Sequence, residues 1–109
     1  MILDDSAMGI THIPNFLGGD GTLHTQMRVD EPSKILKGTL DPGSSIGYHT
    51  HETSSEIIYV LSGMGKVKYD GGEEAVKTGV YHYCPKGHSH SLINDSNAPL
   101  EFFAVVPNQ

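Results

Sequence analysis

The sequence predicts an all-β domain, and three observations carry that reading. Apolar residues make up only 37 % of the 109 positions, while glycine and proline supply 13 and 6. That balance suits short strands joined by tight turns better than a helical bundle. Turn formers recur along the chain, at Asp41-Pro42-Gly43, Ser62-Gly63, Asp70-Gly71-Gly72, Pro85-Lys86-Gly87 and Asn94-Asp95-Ser96-Asn97. No stretch repeats its apolar residues at helical spacing for long enough to make a convincing helix.

A chain of this length is expected to form one domain, residues 1–109, around a single core. Residues 1–22, with Gly18-Gly19-Asp20-Gly21, read as irregular or loosely strand-like. Strands are expected at 24–29, 34–40, 44–50, 56–61, 65–69, 74–77, 80–84, 89–93 and 101–106. Short strands at this spacing suggest a sandwich or a closed barrel. Asp70-Gly71-Gly72 marks the clearest hairpin, because glycine tolerates the positive φ of such turns. The run Ile57-Ile58-Tyr59-Val60-Leu61 is apolar on both strand faces. One face would line the interior, and the other calls for a cover, which makes a homodimer the expected assembly.

Composition also narrows the partners. A formal net charge of -6 disfavours nucleic acid and anionic membranes, both of which need clustered lysine and arginine. The apolar runs are far too short to span a bilayer. Asp4 and Asp5 stand where a secretion signal would be basic, and Cys84 has no second cysteine to pair with. A cytoplasmic protein acting on a small molecule is the expectation.

The residues richest in chemistry fall in two segments. His49 and His51 are two apart, which on an extended strand puts both imidazoles on one side, about 7 Å apart along the chain. Glu56 then opens the most apolar strand, where an unpaired carboxylate would be costly to bury. A cation resolves that difficulty. His90 arrives from a separate hairpin, after the Pro85-Lys86-Gly87 turn. Three imidazoles and one carboxylate can hold a divalent transition metal and leave positions open.

Gly43, His49, His51, Glu56 and Gly63 fit the pattern G-x5-H-x-H-x4-E-x6-G, and Gly79, Pro85, Gly87, His90 and Asn94 fit G-x5-P-x-G-x2-H-x3-N. Both patterns resemble the two motifs of the cupins, without a gap or a substitution, over residues 43–63 and 79–94. The resemblance implies a double-stranded β-helix, the jelly-roll barrel, with His49, His51, Glu56 and His90 as metal ligands at its centre. The ion is expected to be one per chain, drawn from Mn, Fe, Ni, Co, Cu or Zn, since mixed nitrogen and oxygen ligation discriminates poorly among them. The glycines and Pro85 read as backbone devices, and Asn94 as the cap of a turn.

Other residues compete for roles near the ion. His82 and Cys84 share one strand face, and Tyr81 and Tyr83 the other. The register of the similar family turns His82 and Cys84 inward, where His82 is either a proton carrier beside the metal or a hydrogen-bonded core histidine. It is the one candidate catalytic residue. His88, His12, His24 and Arg28 are expected at the surface, and Tyr48, opposite His49, is expected to pack. The function expected from this chemistry is a metalloenzyme of dioxygenase, decarboxylase, lyase or isomerase type acting on a small oxygenated compound. The competing reading is a non-catalytic module that binds or senses a small molecule or the metal itself.

Overall fold

The computed structural model describes residues 1–109. Ten strands form: β1 (Thr11–Pro14), β2 (Thr22–Val29), β3 (Ser33–Leu40), β4 (His49–Thr50), β5 (Glu56–Ser62), β6 (Met64–Tyr69), β7 (Gly72–Lys77), β8 (Tyr81–Cys84), β9 (Ser89–Ile93) and β10 (Leu100–Pro107). They make a six-stranded antiparallel sheet in the order β1-β2-β3-β10-β5-β8 and a four-stranded one in the order β4-β9-β6-β7. The only helical pieces are 3-10 turns at Asp5–Ala7 and Phe16–Gly18, and no helix is long and apolar enough to cross a membrane. The jelly-roll architecture expected from the motifs is the one observed.

Strand alternation explains how the two sheets enclose a core. On β10, Leu100, Phe102, Ala104 and Val106 are buried, while the residues between them are not. On β5, Glu56, Ile58 and Val60 turn inward, and Ile57 and Leu61 face out. Leu23, Leu36 and Leu40 add to the same core from β2 and β3, and Val67 and Leu92 close it from the smaller sheet. Glu56 therefore continues an apolar face, and the apolar plug around Val60 and Phe102 leaves the opposite end of the cup to polar side chains.

Two boundaries depart from the sequence reading. The segment read as irregular or loosely strand-like contains a regular strand, β1, whose residues pair with β2 in the register His12↔His24 and Ile13↔Leu23. Proline at position 14 and two polar residues concealed it, and both are tolerated because β1 is an edge strand. Conversely, the strand expected over 44–50 is regular only at His49–Thr50, with one isolated bridge at Ser45↔Ile93. Its backbone is shared with the N-terminal segment. Ser45 N–H donates to the Asp20 carbonyl at 2.8 Å and Gly47 N–H to that of Phe16 at 3.0 Å.

The expected hairpin turn is present, with Asp70 at φ 47° and Gly71 at φ 84° between the paired residues Tyr69 and Gly72. Positive φ at both central positions matches the right-handed twist of the flanking strands. Asn94 does more than cap. Fully buried, it donates through Nδ2 to the carbonyls of Leu40 (2.9 Å) and Ala98 (2.8 Å), and its Oδ1 accepts from Ser96 N–H (3.0 Å). It thereby fastens the end of β3 to the turn that leads into β10.

Candidate metal centre

Three strands and one loop bring the four expected ligands together. β4 carries His49 directly opposite His90 on β9. His51 follows β4, anchored by its N–H to the His88 carbonyl at 3.0 Å. Glu56 stands at the head of β5, so the carboxylate comes from the opposite sheet. One donor atom from each of the four residues lies within 4.8 Å of the others, and all but half-exposed His49 are buried.

Separations within the group are short. His51 Nε2 is 3.1 Å from His49 Nε2, 3.0 Å from His90 Nε2 and 3.1 Å from Glu56 Oε1. His90 Nε2 lies 2.9 Å from the same carboxylate oxygen, and His49 Nε2 lies 4.0 Å from it. Hydrogen bonds alone do not satisfy this packing. The Gly47 carbonyl can only accept, so His49 Nδ1 donates to it at 2.7 Å and His49 Nε2 presents a bare lone pair. The four contacts of 2.9–3.1 Å then have only the His51 and His90 Nε2 protons to share, and lone pairs face lone pairs in the rest.

A cation removes that conflict. Metal–ligand bonds of about 2.1 Å set neighbouring donors at right angles roughly 3 Å apart, which is the spacing of the four short contacts. The side chains thus fit a divalent ion in both number and geometry. Their ionisation fits as well. Burial works to raise the Glu56 carboxyl, but the facing His51 and His90 imidazoles outweigh it and bring the pKa down to about 2. Burial lowers that of His49 and favours its neutral, ligating form.

The outer nitrogens are held too. His51 Nδ1 meets Ser54 Oγ at 2.7 Å, and His90 Nδ1 meets His82 Nε2 at 3.0 Å. His82 is buried on the inward face of β8, as is Cys84, while Tyr81 and Tyr83 are exposed. Burial drives the His82 imidazole down to about 4, so at neutral pH it is uncharged and its Nε2 can accept from His90 Nδ1–H. Burial also raises the Cys84 thiol, to about 11, which leaves it protonated and inert. His82 touches the outer edge of a ligand and is absent from the pocket wall, so its place is that of a positioning residue. Exchange for glutamine, which keeps a polar group there but not the imidazole shape, is expected to weaken metal affinity about 10- to 100-fold. Competition with a fluorescent chelator measures it, and unchanged affinity would deny His82 that role.

The remaining candidates lie elsewhere. His88 is half-exposed and pairs with Asp70, away from the ligands. Arg28 pairs with Asp30 at 3.6 Å on the surface. His12 and His24 face one another across β1 and β2, with His24 also against Asp41 at 2.9 Å. Tyr48, expected to pack, is 53 % exposed. The short β4 presents its outer side to solvent, and no further layer covers it.

Above His49, His51 and Glu56 opens a pocket of about 290 Å³. Phe16, Leu23, Met27, Leu36, Ile46 and Val106 supply most of its wall, with Asp30 and Lys34 its titratable side chains besides the ligands. Sequence reasoning did not find this wall. Its residues come from β2, β3, β10, the 3-10 turn at Phe16 and the segment between β3 and β4, and no local pattern distinguishes them from ordinary core.

Comparison with known proteins agrees with the site. A protein of Thermotoga maritima named oxalate-binding protein is 33 % identical over 112 residues, covering 97 % of this chain and 93 % of its own. A crystal structure from the same organism, described as a predicted oxalate decarboxylase, superposes with a TM-score of 0.93 at 31 % identity over 100 % of both chains. The polyketide cyclase RemF of Streptomyces resistomycificus superposes at 0.79 with 21 % identity, covering 98 % of this chain and 78 % of its own, a likeness of fold alone. The cupin domain model matches residues 36–106, a span that takes in all four clustered donors and both strand pairs that carry them. The chain belongs to the cupin family.

Proposed function

We propose that the chain binds one divalent transition-metal ion through His49, His51, Glu56 and His90, and that the bound ion captures a small oxygenated organic anion. The observation behind this is the cluster itself, more donors than protons at the floor of an open pocket. When bound, such an ion supplies Lewis-acid chemistry, polarising a carbonyl or carboxylate oxygen. The protein's own contribution is geometric. Gly47, Ser54 and His82 hold the outer nitrogens of the three histidines, and the apolar wall excludes water from the ligand. The names of the Thermotoga maritima matches support a small carboxylate as the anion.

Capture is the part of this function that the geometry supports best. Turnover of decarboxylase, dioxygenase, lyase or isomerase type is the second reading. It is favoured by Asp30 and Lys34, a carboxylate and an ammonium at the pocket where a proton could be taken or given. His82 serves either reading by orienting His90. A cytoplasmic homodimer belongs to the same proposal: Ile57, Leu61, Tyr81, Tyr83 and Phe103 lie on the outer face of the six-stranded sheet, 38–72 % exposed. Native mass spectrometry of protein purified without chelator tests both points at once. One transition-metal ion per chain and two chains per particle are expected; metal-free protein would end the reading. Incubation of the loaded protein with oxalate then separates capture from turnover, by whether carbon dioxide or oxidised product forms.

A further inference from the structure

We infer that the ligand this pocket takes is a chelating oxyacid with an apolar tail, such as a 2-oxo acid with an aliphatic side chain, rather than oxalate itself. The inference rests on the proposed metal site and specifies its ligand. A ligand that chelates through two oxygens must still place the rest of its atoms against the wall, and that wall decides which remainder is welcome.

The wall is apolar in depth. Leu23, Leu36, Ile46 and Val106 are all less than a tenth exposed, and Met27 is the cross-strand partner of Leu36. Of its polar members Ser33 alone has a hydroxyl without a hydrogen bond, and the others are engaged. Ser54 is committed to His51 Nδ1, Asn108 Nδ2 donates to the Glu31 carbonyl at 2.6 Å, and Asp30 Oδ1 accepts from Ser33 N–H at 3.1 Å. The one cationic side chain of the lining is Lys34, whose ammonium lies over the Phe16 ring, 5.9 Å from its centroid.

Oxalate fits such a lining poorly. Bound through one oxygen of each carboxylate, it turns its two remaining anionic oxygens toward methyl and methylene groups, and an unpaired charge against an apolar wall is strongly unfavourable. A 2-oxo acid bound through its keto oxygen and one carboxylate oxygen leaves a single anionic oxygen, and one ammonium suffices for one oxygen. Its side chain meets the wall. The volume agrees: about 290 Å³ corresponds to the space of roughly ten liquid waters, well beyond what two carboxylates fill.

Backbone strain adds a second, independent observation at the rim. Asn15 and Leu17 adopt φ 53° and 54°, a left-handed conformation that side-chain-bearing residues rarely take. Leu17 lines the pocket and is 52 % exposed. The turn is pinned, with Gly47 N–H donating to the Phe16 carbonyl, and a side chain at Gly47 would run into the Leu17 backbone. The fold thus holds an apolar side chain at the mouth in an unfavourable conformation, as sites that clamp ligands often do. An apolar tail gives that side chain something to close upon.

Isothermal titration of the Mn(II)-loaded protein with pyruvate, 2-oxobutyrate, 2-oxopentanoate and 4-methyl-2-oxopentanoate tests the inference. Affinity is expected to rise about fourfold per added methylene until the pocket is full. The Met27→Ser variant, altered at a half-buried wall position, is expected to weaken 4-methyl-2-oxopentanoate about tenfold more than it weakens oxalate. A series that is flat or falls with tail length, or equal losses for oxalate and the branched acid in the variant, overturns the inference while the metal site stands. Failure of the wild type to take up any ion by elemental analysis would instead overturn the proposed metal site and this inference with it.

Discussion

Exchanging His51 for alanine is expected to abolish stoichiometric metal, from one ion per chain in the wild type to near none. His51 is the right residue for this test because its Nε2 alone approaches all three other donors, at 3.0–3.1 Å. Losing an outer-sphere partner typically costs 10- to 100-fold in metal affinity, so loss of a direct ligand should exceed about a hundredfold. A second readout separates metal loss from unfolding. An ion present at about a thousand times its dissociation constant stabilises the native state by roughly 4 kcal/mol, so wild-type protein should melt at higher temperature with metal than with chelator. The variant should melt at one temperature under both conditions and retain its β-sheet circular dichroism. Metal retained at one per chain would refute the assignment of His51, and with it the site.

Exchanging Phe102 for alanine is expected to cost about 3–5 kcal/mol of folding stability, the largest effect foreseen for a residue outside the site. Phe102 is fully buried on β10, between Gly38 of β3 and Val60 of β5. Gly38 is matched to it, since a Cβ there would lie 2.6 Å from the ring. The chain has made room for that ring by giving up a side chain on the neighbouring strand, so position 38 has no side chain to move into the space it leaves. Domains are usually stable by only about 5–15 kcal/mol, so the variant should sit near the edge of folding at 37 °C. Urea denaturation measures the loss, and a cost below about 1 kcal/mol would show that Phe102 does not close the core. The folded fraction should still bind metal, because the site is built at the other end of β5.

Much of the site was legible before any coordinates. The candidate ligands His49, His51, Glu56 and His90 stand at the spacings of the two cupin motifs, and Glu56 at the head of an apolar strand called for a cation on energetic grounds alone. The strands from β2 through β10 were legible for the same kind of reason: alternation and turn chemistry are local. What escaped was non-local or unpatterned. β1 is an edge strand containing Pro14, and residues 44–48 look strand-like but divide their hydrogen bonds between β9 and the N-terminal segment.

By itself, then, the order of residues determined the all-β class and the positions of most turns, which depend on neighbours a few positions away, and its two motifs marked the four side chains that could hold a metal ion. Tertiary structure alone decided that His82 stands behind His90 instead of in the pocket, that Leu17 is held at its mouth, and that six apolar residues from distant strands and connecting segments form its wall. Those are facts about which surfaces meet across the barrel. A sequence written along one dimension carries no local mark of them, because a side chain that lines a cavity and one that fills a core obey the same hydrophobic rule.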